Sequence, residues 1–445
     1  MKLRDWSLRR WALVIALIIL LPLIGLRLHL KWRVHRAVAE LRAAGKPVNW
    51  EDLNRLYHQP VPDAENAFVA LTNAYAKLSR PEDAERELIP VVGYFIHSRS
   101  APLNWPENVR LATEAYLERQ QEGLAEALAA LELPTYRYSA AYGQKGYDPD
   151  QLSRLKFLVS LLHLQAWHSM VTGNWPEACR STEAQLRIVE YLTDEPQLMT
   201  QLIRLAYIAM AMINTELLLG VVDDAGPELT GLQATIRRAG QRWRFDHIVA
   251  GERVSYLEAI HWQSERLLLK YDFNFDLDLD DLLNAQTKST GEIWLEDAQV
   301  LLYRMAGFGD RDLLQLLAAS RELEAAAGSL EQLVAFSTGW NPPSLGGLIP
   351  HYWVELFLLP QGKVVNKWQD GYSRLRAADA ALAVAQYRLQ HDGKLPASLG
   401  ELVPDYLEAV PIEPQSGQPF ELIVTPDGYG IGRGTPVFNV KLPRP

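Results

Sequence analysis

The residue types that could do chemistry are scattered through the chain. Glu258 and His261 form a single Glu-x-x-His step, a spacing that di-iron bundles use twice, together with two further helix-borne glutamates. One copy predicts no metal centre. The segment DFNFDLDLDD, residues 272–281, alternates oxygen-bearing and apolar side chains, so an extended backbone would set Asp272, Asn274, Asp276, Asp278 and Asp280 on one face. Asp272, Asp276, Asp278 and Asp280 are therefore weak calcium-ligand candidates. A twelve-residue calcium loop needs Gly at its sixth position and a bidentate Glu at its twelfth, where this chain has Leu277 and Leu283. The expectation is a solvated edge with Phe273, Phe275, Leu277 and Leu279 packed inward and the acids facing water. Cys179 precedes Arg180, a charge that could favour a thiolate, yet a lone small cysteine reads as a buried apolar residue. His163 and His168, five apart, point to different sides of a helix and read as core or interface histidines.

Larger signatures are missing. There is no GxSxG elbow, no phosphate-binding GxxxxGK followed by Ser or Thr, no HExxH and no GxGxxG after a strand. No catalytic residue, cofactor or resident metal is expected. Thirteen tryptophans and eighteen tyrosines read as core and groove lining, with the loop around Trp340 and the run His351, Tyr352 and Trp353 able to present aromatics to a ligand.

The elements that must position these residues are mostly helical by periodicity. Phe68, Leu71, Tyr75 and Leu78 line one face of a helix that starts after Pro62 with Asp63 as its expected N-cap. Residues 104–132 and 152–170 read as long helices, the second buried on more than one side through Leu155, Leu158, Val159, Leu162 and Ala166, with Leu161 and Leu164. A turn at Gly173 and Asn174 leads to Pro176 near a first helical position, and the next helix carries Ala178, Thr182, Leu186 and Val189 inward. Pro196 and Pro227 open further helices, and others are expected at 252–269, 292–305, 311–336 and 369–391. The segment AWHSMVTGNWPEA, residues 166–178, resembles the turn of a tetratricopeptide-type repeat. Because these prolines stand 20 and 31 residues apart, no 34-residue period exists, and the body is expected as an irregular array of antiparallel helical hairpins.

The expected fold class is thus mainly α, weakly tetratricopeptide-like, with a small C-terminal α+β unit after one N-terminal transmembrane helix. Residues 1–10 form a short basic head, 11–30 the span, 31–338 the helical-hairpin body, 339–368 a Gly/Pro-rich loop and connecting segment, and 369–445 a helix with a small antiparallel sheet. The sixteen residues from Trp11 to Leu26 carry no charge, Leu20 lies within them, and Arg9, Arg10, Arg27 and Lys31 flank the run. About twenty apolar residues cross a hydrocarbon core of roughly 30 Å, and the flanking cations can snorkel to the headgroups. No small-x-small cleavage site follows, so an uncleaved anchor is expected rather than a signal peptide. Pro22 would break a buried soluble helix here. Basic residues tie across the run, with Lys2, Arg4, Arg9 and Arg10 before it and Arg27, Lys31, Arg33 and Arg36 after. The small head and large body therefore place the body outside the inner (cell) membrane, periplasmic or otherwise extracytoplasmic.

Composition bounds the function. At 445 residues, 48% hydrophobic and 22% charged, the body is of ordinary globular make-up, and a net charge of −10 disfavours nucleic acid as a partner. One cysteine excludes an intramolecular disulfide and any cysteine cage for zinc or iron–sulfur clusters.

Residues 387–431, YRLQHDGKLPASLGELVPDYLEAVPIEPQSGQPFELIVTPDGYGI, resemble the post-helix region of the major pseudopilins of type II secretion. In that family a helix ending in tyrosine leads through a turn and a leucine-rich segment into a small antiparallel sheet. The likeness covers about sixty residues, and the residues agree by themselves: 420–425 alternate, Pro426, Asp427 and Gly428 supply a turn, 429–433 return, and 437–442 make a third strand. The anchor lacks the glycine site, phenylalanine and glutamate of pseudopilins, Glu413 replaces the aspartate before proline, and no acidic loop follows Gly432. Filament assembly and calcium binding are thus not implied. With AAGKPVNWEDL at 43–53 and VPDAENAF at 61–68, the whole layout is also similar to a set of bacterial single-pass membrane proteins, a family without assigned activity. The expected function is a membrane-anchored extracytoplasmic interaction or scaffold protein with a protein partner. The alternatives are a component of a secretion or pilus-type envelope system and an envelope hydrolase with a carboxylate pair in a deep pocket.

Overall fold

The computed structural model describes residues 8–92, 103–138, 140–143, 149–224, 226–241, 244–258, 308–339 and 352–442. The chain is mainly helical, with twelve α-helices among the described residues and a small C-terminal sheet. The helices are α1 (Leu8–Ala43), α2 (Trp50–Tyr57), α3 (Ala67–Lys77), α4 (Glu107–Ala130), α5 (Pro149–Val171), α6 (Trp175–Tyr191), α7 (Leu198–Val221), α8 (Pro227–Gln241), α9 (Asp246–Leu257), α10 (Phe308–Ala326), α11 (Leu330–Gly339) and α12 (Tyr352–Gln390). Strands β1 (Glu421–Thr425), β2 (Gly428–Arg433) and β3 (Thr435–Lys441) follow. Two compact units result. One comprises Met1–Leu53, Val249–Ala326 and Phe336–Lys363; the other comprises Asn54–Ile248, Ala327–Ala335 and Val364–Pro445.

In the first unit, the second half of α1 packs on α10. Leu30, Val34, Val38 and Leu41 recur at helical spacing and are buried, and the last three join Val48, Tyr256, Leu257, Leu313, Leu316 and Leu317 in one core cluster. AAGKPVNWEDL is a helix-start device. Gly45 takes φ +72°, a left-handed conformation suited to a residue without Cβ. Asn49 Oδ1 then accepts the Asp52 N–H at 2.8 Å. The wholly buried Arg253 donates from Nε to the Pro47 carbonyl at 3.1 Å and from Nη1 to Glu324 at 2.7 Å. Helix α1 runs through Pro22 without ending there.

In the second unit, α5 and α6 form a hairpin turned at Gly173, whose φ is +75°. Asn174 caps α6 by accepting the Glu177 N–H at 3.3 Å, with Pro176 in the first helical turn. The periodic apolar residues expected on α5 and α6 are all buried. Gln185 donates to the Val159 carbonyl at 2.8 Å and accepts from Asn214 at 2.9 Å, so one amide ties α5, α6 and α7 together. Helix α7 is the one helix among the described residues long and apolar enough to cross a membrane, and 56% of its most apolar stretch is buried in the structure. Its buried Gln201, Arg204, Asn214 and Thr215 suit the core of this unit. Arg204 donates to the Val189 carbonyl at 2.8 Å and twice to the Tyr372 hydroxyl at 3.1 Å. The rings of Trp368 and Tyr372 lie against its guanidinium, 5.8 and 5.7 Å away.

The sheet is antiparallel in the order β1-β2-β3. It meets α12 through the Tyr429 hydroxyl, which donates to the Ala381 carbonyl at 3.0 Å. It meets α7 at Gly220, where a Cβ would lie 2.5 Å from the Lys441 carbonyl oxygen.

Three element expectations are corrected. Asp63 does not cap α3: Asp63–Glu65 form a 3-10 turn and Asn66 is the cap. The helix expected over 311–336 is two, because Ser329 Oγ accepts the Gln332 N–H at 3.1 Å and starts a new helix at Leu330. The helix expected from about Gln369 begins at Tyr352 and continues through Pro360 and Gly362. Val364, Val365, Trp368, Tyr372 and Leu375 then form a single buried stripe whose packing outweighs two local breakers.

Candidate functional site

The site is built outward from Asn66. This residue has extended backbone, φ −104° and ψ 103°, as a helix cap requires. Its Oδ1 accepts the N–H of Phe68 at 3.1 Å and of Arg137 at 2.9 Å, and its Nδ2 donates to the Arg137 carbonyl at 2.9 Å. Asn54 makes the same reciprocal pair with Tyr142, at 2.8 and 3.0 Å, and the His58 ring lies 2.9 Å from the Tyr138 carbonyl. Side chains thus do for the tyrosine-rich segment around 135–142 what a neighbouring strand would do for a β-strand. Phe68 meets Tyr136 and Tyr138 edge-on at 5.8 and 5.6 Å.

Helix α5 supplies the opposite wall. Its buried face is Leu155, Leu158 and Leu162, which leaves Ser153 and Arg154 exposed and Phe157 half-buried beside them. A groove of about 560 Å³ runs between α3 and α5, with Thr72, Tyr75, Arg80, Ser153, Arg154 and Phe157 in its lining. An adjoining lobe of about 220 Å³ shares Thr72, Tyr75 and Arg154 and adds Phe68, Tyr136 and Gln151. The larger volume falls within the range of small-ligand sites.

Among the described residues, the charged groups lining the groove are both arginines. The Arg80 guanidinium lies 5.6 Å from the centre of the Phe157 ring. Neither Arg80 nor Arg154 has an ion pair among the described residues, although many other arginines do, such as Arg110 with Glu107 and Glu114 at 2.7 and 3.0 Å. Burial pushes the Tyr75 hydroxyl above the ordinary tyrosine range, and the Arg154 charge offsets only part of that shift. Burial likewise raises Tyr136 well above that range. Both therefore remain neutral phenols. The Tyr75 oxygen has no hydrogen-bond partner among the described residues. Among the described residues, no carboxylate lines either lobe. The arrangement is suited to holding an anionic group beside apolar or aromatic matter.

The residues singled out in the sequence lie elsewhere. Glu258 accepts the Trp50 N–H at 3.3 Å, and burial raises its carboxyl; His261 lies outside the described residues, as do Asp272, Asn274, Asp276, Asp278, Asp280, Trp340 and His351. Among the described residues, no group of three or more His, Cys, Asp and Glu is placed to hold a metal. Cys179 is buried, and burial pushes its thiol up to about 12 with Glu183 and Glu228 adding to the shift, so the neighbouring Arg180 does not produce a thiolate. His163 packs against Trp167 at 4.7 Å, and burial lowers His168, whose ring faces Trp105 at 6.4 Å. Glu195 is a buried acid outside the groove lining but near enough for its charge to act on the Tyr136 hydroxyl; it is raised by burial, accepts the Tyr142 hydroxyl at 2.6 Å and lies 3.7 Å from Arg137.

Sequence periodicity had placed Phe68 and Tyr75 on one helix face. It missed Tyr136, Arg154 and Phe157, for only the chain crossing brings them to that face. No family model matches this chain, and neither a curated protein nor a solved structure matches it.

Proposed function

We propose that this chain is a membrane-anchored interaction or scaffold protein. Residues 11–30, from Trp11 through Leu20 and Leu26, form the tether, and the body lies on the extracytoplasmic side of the cell membrane. The observation that carries this reading is a change of character within one helix. Every described side chain of α1 from Leu17 to His29 is exposed, including Leu17, Ile18, Leu21, Ile24, Leu26 and Leu28, while Leu30, Val34, Val38 and Leu41 are buried. A soluble helix does not leave such a run of large apolar side chains to water, whereas lipid would cover it. Continuity through Pro22 supports the same reading, since membrane helices tolerate proline.

The body supplies the interaction surface. Its α5–α6 hairpin, with Gly173 at the turn and Asn174 as cap, is read as tetratricopeptide-like, the form in which helical pairs present grooves to peptides. The test is alkaline carbonate extraction of membranes carrying the full chain. The protein is expected in the pellet, and a Leu21→Arg/Ile24→Arg double variant in the supernatant. Release of the unaltered chain, or a mature N-terminus beyond position 30, overturns the tether.

A second reading, a part of a secretion or pilus-type system, draws support from the order of long helix, Gly393 turn and three antiparallel strands at the C-terminus. Co-purification with such components is its test. The hydrolase alternative needs a facing pair of carboxylates, and among the described residues the lining of this groove holds none.

A further inference from the structure

We propose that the groove between α3 and α5 binds acidic peptide segments, seating a carboxylate on Arg154 and Arg80 and an adjacent aromatic or large apolar side chain against Phe68, Tyr75 and Tyr136. The inference rests on reading the body as an interaction module and is independent of the tether.

Three observations select this occupant. Among the described residues, the lining brings two guanidinium groups and no opposing acid, on a chain whose net charge is −10; an anion is the complement of that patch. Arg154 belongs to both lobes, so a charge held there leaves its neighbours in the ligand to enter the aromatic lobe on one side and to pass Phe157 and Arg80 on the other. Thr72, Ser153 and Gln151 add small hydrogen-bonding groups at the rim, suited to a peptide main chain.

The competing occupants are disfavoured by the same residues. Nucleic acid affinity comes from neutralising many phosphates, and two cations on an acidic chain cannot supply it. A neutral glycan needs several amide and carboxylate acceptors for its hydroxyls, of which the described lining offers only Gln151. Charge-assisted bonds from guanidinium to carboxylate are directional and roughly twice as strong as neutral ones, and the rings supply the apolar part.

The experiment measures fluorescence polarisation with the full chain in detergent and a fluorescein-labelled peptide, Gly-Phe-Glu-Phe-Glu-Gly, against its all-Gln counterpart. Saturable binding of the acidic peptide is expected, weaker by roughly tenfold for the Gln peptide and for Arg154→Gln. Ser153→Glu, which sets a like charge at the exposed rim, is expected to weaken it similarly, and both variants should melt with the parent. Overturning results are equal binding of the Gln peptide, undiminished affinity in both variants, displacement by inorganic phosphate or anionic vesicles at matching charge, or no saturation by about 1 mM peptide. Any of these removes the groove assignment and leaves the carbonate result untouched; release from membranes, conversely, leaves peptide binding untouched.

Discussion

At the scale of single residues, Asn66 shows how one side chain organises a site. It caps α3 and also pairs with the Arg137 main chain in both directions. Loss of a cap costs about 0.5–2 kcal/mol, and stranding buried backbone groups costs about 1–3 kcal/mol more. Asn66→Ala should therefore lose about 2–4 kcal/mol in denaturant unfolding, whereas an exposed change such as Arg154→Gln should stay within about 0.5 kcal/mol.

Glu195 makes a pH-dependent contribution to stability. Burial raises its carboxyl above the ordinary value of 4.5, so between that value and the raised one the folded chain holds a proton that the unfolded chain has released. Stability from this group is full below 4.5 and declines as pH rises through the raised value. Glu195→Gln, which still accepts from Tyr142, should flatten the fall of urea midpoint with rising pH over that window. An unchanged slope would refute the role. Cys179, with its thiol near 12, should resist iodoacetamide at pH about 8 until the chain is unfolded; mass spectrometry reads the difference.

At the scale of elements, the helices that follow clear periodicity were legible because burial enforces it. The hairpin of α5 and α6 and the three strands belong to this group, since their apolar spacing and turn residues agree. The long α12 was not, because Pro360 and Gly362 read locally as breakers while the stripe from Val364 to Leu375 gains its stability from packing. The split between α10 and α11 was missed for a related reason: a continuous apolar pattern hides the Ser329 cap.

Gly220 belongs to this scale too. Its α-carbon lies so close to the end of β3 that Gly220→Ala should push the strand off α7 and cost about 1–3 kcal/mol, read by thermal unfolding and by faster hydrogen exchange in β3.

At the scale of the whole molecule, the sequence by itself determined the mainly helical class, the small C-terminal sheet and the apolar run at the start of α1. Each rests on interactions among neighbours in the chain: hydrophobic spacing at 3.6 or 2 residues, turn chemistry and an unbroken stretch without charge. It also indicated that common catalytic motifs are absent. Tertiary structure alone decided the groove. Tyr75 and Arg154 are separated by almost eighty residues of chain, and Tyr136 reaches them only because Asn54 and Asn66 pin an irregular segment that has no period of its own. Such a site arises from side-chain to main-chain bonds across long loops, and these leave no local pattern to read.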